Sequence, residues 1–244
     1  MHNKKFLPAA LCLLASCCWL FCGTGIGDPA PPETTASTQT VSESPSEETQ
    51  TNPPESTFIR DGIPLRQIVD QGKLALPLRD ARIVITKHLH KLDLYSGDSL
   101  VKSYHVALGE NPQGDKTQRG DGRTPEGHFY ICTRNGKDSA FHIFLGLSYP
   151  AVPDAKRAVN DKQITWSQYQ TIRGRLASRG APLWNTALGG WIGIHGGSDD
   201  SFAAKMRKKR GSTDWTAGCI ALTDKEIEEV AAATKMGTPV EIVE

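Results

Sequence analysis

The 244-residue chain carries 28 basic and 27 acidic side chains, a formal net charge of +1, and 38% hydrophobic residues. These figures fit one folded domain of ordinary size with extra segments, and they lack the strongly basic balance of a nucleic-acid-binding protein. The charge is uneven: residues 1–57 hold Lys4 and Lys5 against six carboxylates, leaving residues 58–244 with a net of +5, which suits an anionic polymer or an envelope surface as well as an ordinary solvated face.

Lys4 and Lys5 precede an apolar run from Phe6 to about Cys22, the pattern of an export signal. Within it, Leu14-Ala15-Ser16-Cys17 resembles the lipobox of bacterial lipoproteins. That resemblance implies cleavage before Cys17 and a lipid on its thiol. The stretch from Phe6 to Ile26 also suffices for an uncleaved membrane anchor, which takes ~20 residues. Either reading places the remainder of the chain outside the cytoplasm. Residues 28–57 are dominated by Pro, Ser, Thr and Glu and have too little apolar surface to offset ordering entropy, so they read as a disordered tether. The chain thus divides into a leader or anchor over 1–27, a linker over 28–57 and a folded domain over 58–244.

The folded part opens with a short helix around Leu65–Gln71. Arg82–Thr86 is β-rich, and Leu92–Tyr95 alternates apolar and polar residues. Ser96-Gly97-Asp98 is a turn, after which Leu100–Leu108 resumes the strand pattern, giving an antiparallel meander. Residues 109–127, rich in Gly, Asp, Pro and Arg, form a long loop. His128–Thr133 and Phe141–Leu147 read as strands. Residues 161–179 place Ile164, Tyr169, Ile172 and Leu176 on one side of an amphipathic helix. Trp191-Ile192-Gly193-Ile194 reads as a short buried strand leading into His195. Thr223 and Glu226 form a capping box for a helix running to about Lys235 and ended by Gly237, and Pro239–Val243 closes the domain as a strand. The fold class is mainly β with two or three helices, an α+β domain.

Four of the six cysteines, Cys12, Cys17, Cys18 and Cys22, crowd the first apolar run, so the sequence is no disulfide framework. Cys219 follows Gly218, and a glycine beside a nucleophile lets backbone amides approach a developing oxyanion. A thiol needs a base or a positive neighbour to act near neutral pH, and His195, at a strand end before Gly196 and Gly197, is suited to that task. Taken alone, a buried small hydrophobe and a hydrogen-bonded turn histidine explain these two residues as well. Cys132, within a strand-like run, reads as buried and inert. His88, His90, His105 and His128 show no zinc-ligand spacing with cysteine.

Ile194-His195-Gly196-Gly197 followed by Thr216-Ala217-Gly218-Cys219 resembles the signature of the L,D-transpeptidase catalytic domain family. Arg123-Thr124-Pro125-Glu126-Gly127-His128-Phe129 is similar to that family's Thr-Pro-x-Gly-x-aromatic turn, and the likeness covers most of residues 80–244. It implies a β-sandwich catalytic domain in the cell envelope acting on peptidoglycan stem peptides. It further implies Cys219 as nucleophile, His195 as general base, and the Gly196 carbonyl orienting the imidazole. Gly218 and Cys219 N–H groups become oxyanion donors, with Thr216 and Ala217 on the substrate side. The implied product is a thioester acyl-enzyme resolved by an amine of another stem or an envelope lipoprotein, or by water. No metal or organic cofactor is called for, and a monomer is the default.

This sequence departs from the family's common pattern at two places. Ala217 stands where a histidine is usual, and Ala221 where an arginine helps hold the donor stem. His195 and Cys219 are also unusually far apart, and the excess contains Lys205-Met206-Arg207-Lys208-Lys209-Arg210, read as a basic loop that grips a carboxylate or anionic glycan or is merely solvated. The Gly-Cys-Ile-Ala-Leu-Thr string resembles a divergent branch that includes a hydrolase releasing a wall-attached lipoprotein. His142, flanked by Phe141 and Ile143, is a secondary candidate for lining the cleft. A wall-binding module without turnover and a zinc hydrolase are the competing readings.

Overall fold

A computed structural model describes residues 62–139 and 141–244. The expected leader with its lipobox Cys17 and the linker over 28–57 lie outside the described residues. The β-rich runs form eight strands: β1 (Ala81–Thr86), β2 (Lys91–Ser96), β3 (Ser99–His105), β4 (Gly127–Ser139), β5 (His142–Leu147), β6 (Gly193–His195), β7 (Ile220–Ala221) and β8 (Pro239–Val243). They make a mixed sheet ordered β3-β2-β1-β8-β4-β5-β6-β7. Strand β1 shows why these segments pair: Ala81, Ile83 and Ile85 are buried while the alternate residues are half-exposed, the period-two pattern of a sheet with one face on the core.

The meander β1-β2-β3 is antiparallel, as the sequence predicts. The closing strand β8 then enters the sheet parallel to β1 and antiparallel to the start of β4. Strand β4 is longer than expected. Residues 127–130 pair with β8, and from Ile131 onward the strand pairs with β5, with register shifts after Ile131 and after Asn135, so one strand belongs to both halves of the sheet. The two far edges also meet. Ala107 and Ala221 exchange backbone hydrogen bonds of 3.0 and 2.8 Å, and Gly109 bridges Thr216. The sheet therefore curls until its ends touch, around a core that includes Ile83, Ile85, Leu92, Leu145, Ile194 and Ile220. Each such side chain contributes roughly 1.5–3 kcal/mol when withdrawn from water.

Five helices are described. Helix α1 (Leu65–Gln71) has the predicted bounds, and α5 (Asp224–Ala233) begins with the predicted box, Thr223 Oγ1 accepting from Glu226 N–H. Helix α5 ends earlier than expected, at Ala233 with Thr234 extended, and Gly237 (φ +83°) instead turns the chain into β8. The amphipathic segment starts later than predicted, as α3 (Trp166–Ala177), because Thr165 caps it by accepting from Gln168 N–H. The sequence reading missed α2 (Val152–Asn160). Pro153 lies in its first turn, where proline is favourable, and its buried residues Asp154, Ala155 and Ala158 give a weak apolar signal. The basic segment is not a loop. It is helix α4 (Ser201–Arg210), capped by Asp200 Oδ1 accepting from Ala203 N–H. Among the described residues no helix is long and apolar enough to cross a membrane.

Two buried charge clusters fasten peripheral segments to the sheet. Lys87, 1% exposed, donates to the Gly114 carbonyl, Glu126 and Glu244, which anchors the loop over 109–127. Glu229 of α5 accepts from Lys102 Nζ at 2.6 Å, Tyr104 Oη at 3.1 Å and the Leu65 N–H at 2.8 Å, joining α5, β3 and α1. Truncating one partner of such a cluster strands the other without solvent. Glu229→Ala is expected to cost about 2–4 kcal/mol in urea denaturation, and the Lys102→Met/Glu229→Leu pair distinctly less.

Candidate active site

Strands β6 and β7 run parallel, with Ile194 opposite Ile220 and His195 opposite Ala221. His195 thus stands beside Ala221, and Cys219 immediately precedes β7. The pairing brings segments 24 positions apart in sequence side by side. Gly218 is required at its place: its φ is +133°, and a Cβ there would lie 2.5 Å from the Arg123 carbonyl oxygen. The loop over 109–127 thus covers the turn that delivers Cys219.

His195 is 2% exposed, and its ring lies among Phe141, Phe144 and Trp215, with centroids 4.7, 6.4 and 6.0 Å away. Its Nδ1 is 2.6 Å from the Gly196 carbonyl oxygen. A carbonyl can only accept, so Nδ1 carries the hydrogen and the neutral ring presents Nε2 as an acceptor. The orienting loop is itself held. Gly196 N–H donates to the Phe141 and Ile143 carbonyls, and Gly197 N–H donates to Asp224 Oδ1 at 2.8 Å. A Cβ on Gly196 would lie 2.5 Å from Asp224 Oδ1, so glycine permits this packing. Asp224 went unnoticed in the sequence because the capping-box pattern draws attention to Thr223 and Glu226. His142, the secondary candidate, has its Nε2 2.8 Å from Glu228 and its Nδ1 3.7 Å from Asp224, both of α5.

Cys219 is half-buried and donates its thiol hydrogen to the Trp191 carbonyl at 3.4 Å. Burial pushes the thiol up to about 11, opposed by a backbone hydrogen bond from Gly193 and by the charge of Lys116. Burial also lowers the His195 imidazole, opposed by the bond to Gly196 and by Asp200. Both shifts favour the neutral forms, a thiol and an imidazole, over an ion pair. The turn before Cys219 is built on Thr216, whose hydroxyl donates to the Cys219 carbonyl and accepts from Gly218 N–H at 3.0 Å. That last bond engages one of the two amides expected to receive an oxyanion. Cys132 is buried and its thiol is likewise pushed up to about 11.

A cleft of about 390 Å³ opens beside this turn, bounded by Ala217, Trp191, Trp184 and the 109–127 loop. Trp191 departs from the expected buried strand: it is 60% exposed with φ +58°, and β6 begins only at Gly193. Asp121 organises the loop, accepting from Lys116 Nζ and from the Thr117, Gln118 and Arg123 N–H groups, which holds its carboxyl below the usual range against the effect of burial. Among the described residues no cluster of three or more His, Cys, Asp or Glu is arranged to hold a metal.

The YkuD family, the L,D-transpeptidase catalytic domain, matches residues 80–242. The chain belongs to this family. No curated protein matches the chain. Among solved structures it resembles the helical cell shape determining protein Pgp2 from Campylobacter jejuni, at 20% identity and a TM-score of 0.44 over 74% of this chain and 54% of that one. It also resembles Bd1075 of Bdellovibrio bacteriovorus, at 16% identity and 0.44 over 68% and 48%, and an L,D-transpeptidase from Mycobacterium smegmatis, at 8% and 0.37 over 68% and 59%. The chain spans about half the length of the first two.

Within this YkuD domain the departures at 217 and 221 have distinct surroundings. Ala217 is exposed at the cleft. Ala221 is 1% exposed and packs with Ala107, Trp215, Ala203 and Met206, the last two from α4. Helix α4 therefore roofs position 221. The neutral resting pair makes a testable claim. Alkylation of Cys219 by iodoacetamide, followed by peptide mass spectrometry, is expected to accelerate about tenfold per pH unit from neutrality toward 11. A plateau already reached near pH 7 would reveal a preformed thiolate.

Proposed function

We propose that this chain is a cell-envelope cysteine acyltransferase acting on peptidoglycan stem peptides, an L,D-transpeptidase with Cys219 as nucleophile and His195 as general base. The observation that carries the reading is the 2.6 Å contact between His195 Nδ1 and the Gly196 carbonyl, which leaves Nε2 as an acceptor on a strand whose parallel partner β7 begins directly after Cys219. Membership of the YkuD family supports the same assignment.

In the proposed reaction the Cys219 sulfur attacks the carbonyl of the third, diamino-acid residue of a tetrapeptide stem while His195 Nε2 takes the thiol proton. Because both groups rest neutral, proton transfer accompanies attack. The N–H groups of Gly218 and Cys219 receive the oxyanion, Gly218 exchanging its bond to Thr216 Oγ1 for it. The imidazolium then protonates the departing D-alanine amine, leaving a thioester. An amine of a second stem or of an envelope lipoprotein resolves it, with His195 removing the amine's proton. Hydrolysis differs only in the acceptor, water replacing the amine. The domain would work extracytoplasmically, held to the membrane by a lipid on Cys17.

The test is mass spectrometry of purified peptidoglycan fragments incubated with the full-length chain. Dimers joined through two third residues, formed by the wild type and absent with Cys219→Ala, establish the transpeptidase. Shortened stems or released protein remnants without dimers assign the hydrolase, and binding without turnover makes the domain a wall-binding module. His195→Ala is expected to lower kcat by roughly 10²–10⁴. The neutral imidazole is the active form and burial opposes its protonation, so activity should persist as pH falls through 6.5 and be lost only below it. An acid limb above 6.5 would contradict the buried-base assignment.

A further inference from the structure

We infer that the cleft beside Cys219 is a carboxylate-recognition subsite whose specificity-determining cation is Arg119, and that it takes a carboxylate carried by the peptide under attack. The inference rests on the acyl-transfer reading for the identity of that peptide. Its binding component stands on the cleft itself.

The cleft is contiguous with the nucleophile's surroundings. Ala217 lies two residues before Cys219, and Trp191 supplies both a wall and the carbonyl that receives the thiol hydrogen. Two cations line it, in different states. Lys116 is buried and committed, donating to Asp121 at 2.6 Å and to the Gln118 carbonyl at 3.1 Å. Arg119 is exposed, and among the described residues it faces no carboxylate within ion-pair distance. Its guanidinium donates instead to the neutral Asn185 Oδ1 at 3.0 Å, and its backbone N–H to the Ala187 carbonyl at 2.7 Å. The side chain is therefore positioned by neutral partners with its charge unspent. Among the described residues no Asp or Glu lines the cleft. A planar guanidinium offers paired donors that match a carboxylate, which an ammonium does not.

The opposite wall is aromatic. Trp184 and Trp191 lie 4.2 Å apart between centroids, so an apolar stretch of peptide can rest there while its charge reaches Arg119. Ala217, exposed and lining the cleft, brings only a methyl side chain to it. On the other side of Cys219, Ala221 is buried against Ala203 and Met206 of α4. Both cations that line the cleft come from the 109–127 loop.

The experiment uses full-length Cys219→Ala and calorimetric binding of three stem tetrapeptides. One has both its terminal and its diamino-acid carboxylates free, one is amidated at the C-terminus, and one at the diamino-acid carboxylate. One of the two amidations is expected to weaken binding about tenfold or more, which identifies the carboxylate recognised. Adding Arg119→Gln should abolish that difference with an unchanged thermal midpoint, because Arg119 is exposed, and Arg119→Lys should restore part of it. Replacing Lys205, Lys208 and Lys209 by Ala should leave it intact. Indifference to both amidations, discrimination that survives Arg119→Gln, or discrimination lost with the α4 lysines instead would overturn the inference. If carboxylate discrimination is seen but the wild type turns nothing over, the subsite stands and the catalytic reading fails. If the wild type turns stems over without such discrimination, the catalytic reading stands and the subsite fails.

Discussion

The parallel pairing of β6 with β7 is the constraint on which the rest of the site depends. Each is too short to hold together alone, at three and two residues. They persist because β6 is also paired with β5, and because the far edge of the curled sheet returns to β7 through Ala107. Parallel neighbours require a long crossover, and residues 196–219 supply it. A separation between His195 and Cys219 is thus required by the pairing, and α4 lengthens the connection beyond that requirement.

Around that pairing, aromatic side chains and burial set the electrostatics. The same desolvation that lifts the Cys219 thiol depresses the His195 imidazole, so the two shifts cooperate in keeping charge out of the resting site. The Gly196 carbonyl works through geometry, fixing the tautomer, and Asp224 works one step further out by holding Gly197. Buried Asp214 plays a comparable part on the other segment, accepting from Leu108 N–H and facing His90 Nε2 at 2.9 Å, immediately before Trp215.

The basic segment changes meaning once it is a helix. As a loop between His195 and Cys219 it invited a direct role in gripping anions. As α4 it has an apolar side, Ala203 and Met206, laid on Trp215, Ala107 and Ala221, and its outward lysines are directed by that packing. The helix thereby occupies the place from which a residue at 221 would act, and the open side of the cysteine is left to Lys116, Arg119 and the two tryptophans. The departures at 217 and 221 are consistent with one another: one clears the cleft and the other makes room for the helix.

The sequence by itself determined the local features. Alternating apolar residues specified the meander, Thr223 and Glu226 marked the start of α5, and the paired His-Gly and Thr-x-Gly-Cys segments marked the residues of interest, because each of these signals lies within a few neighbouring positions. Helix α2 escaped because Pro153 opens it and its buried residues, Asp154, Ala155 and Ala158, include no large apolar side chain. Gly218 engaging Thr216, Asp224 supporting Gly197, His142 turning to α5 and Arg119 standing over the cleft were decided only by the tertiary structure. Those relations join residues distant in the chain, and distance is set by how the sheet curls, which no local pattern encodes.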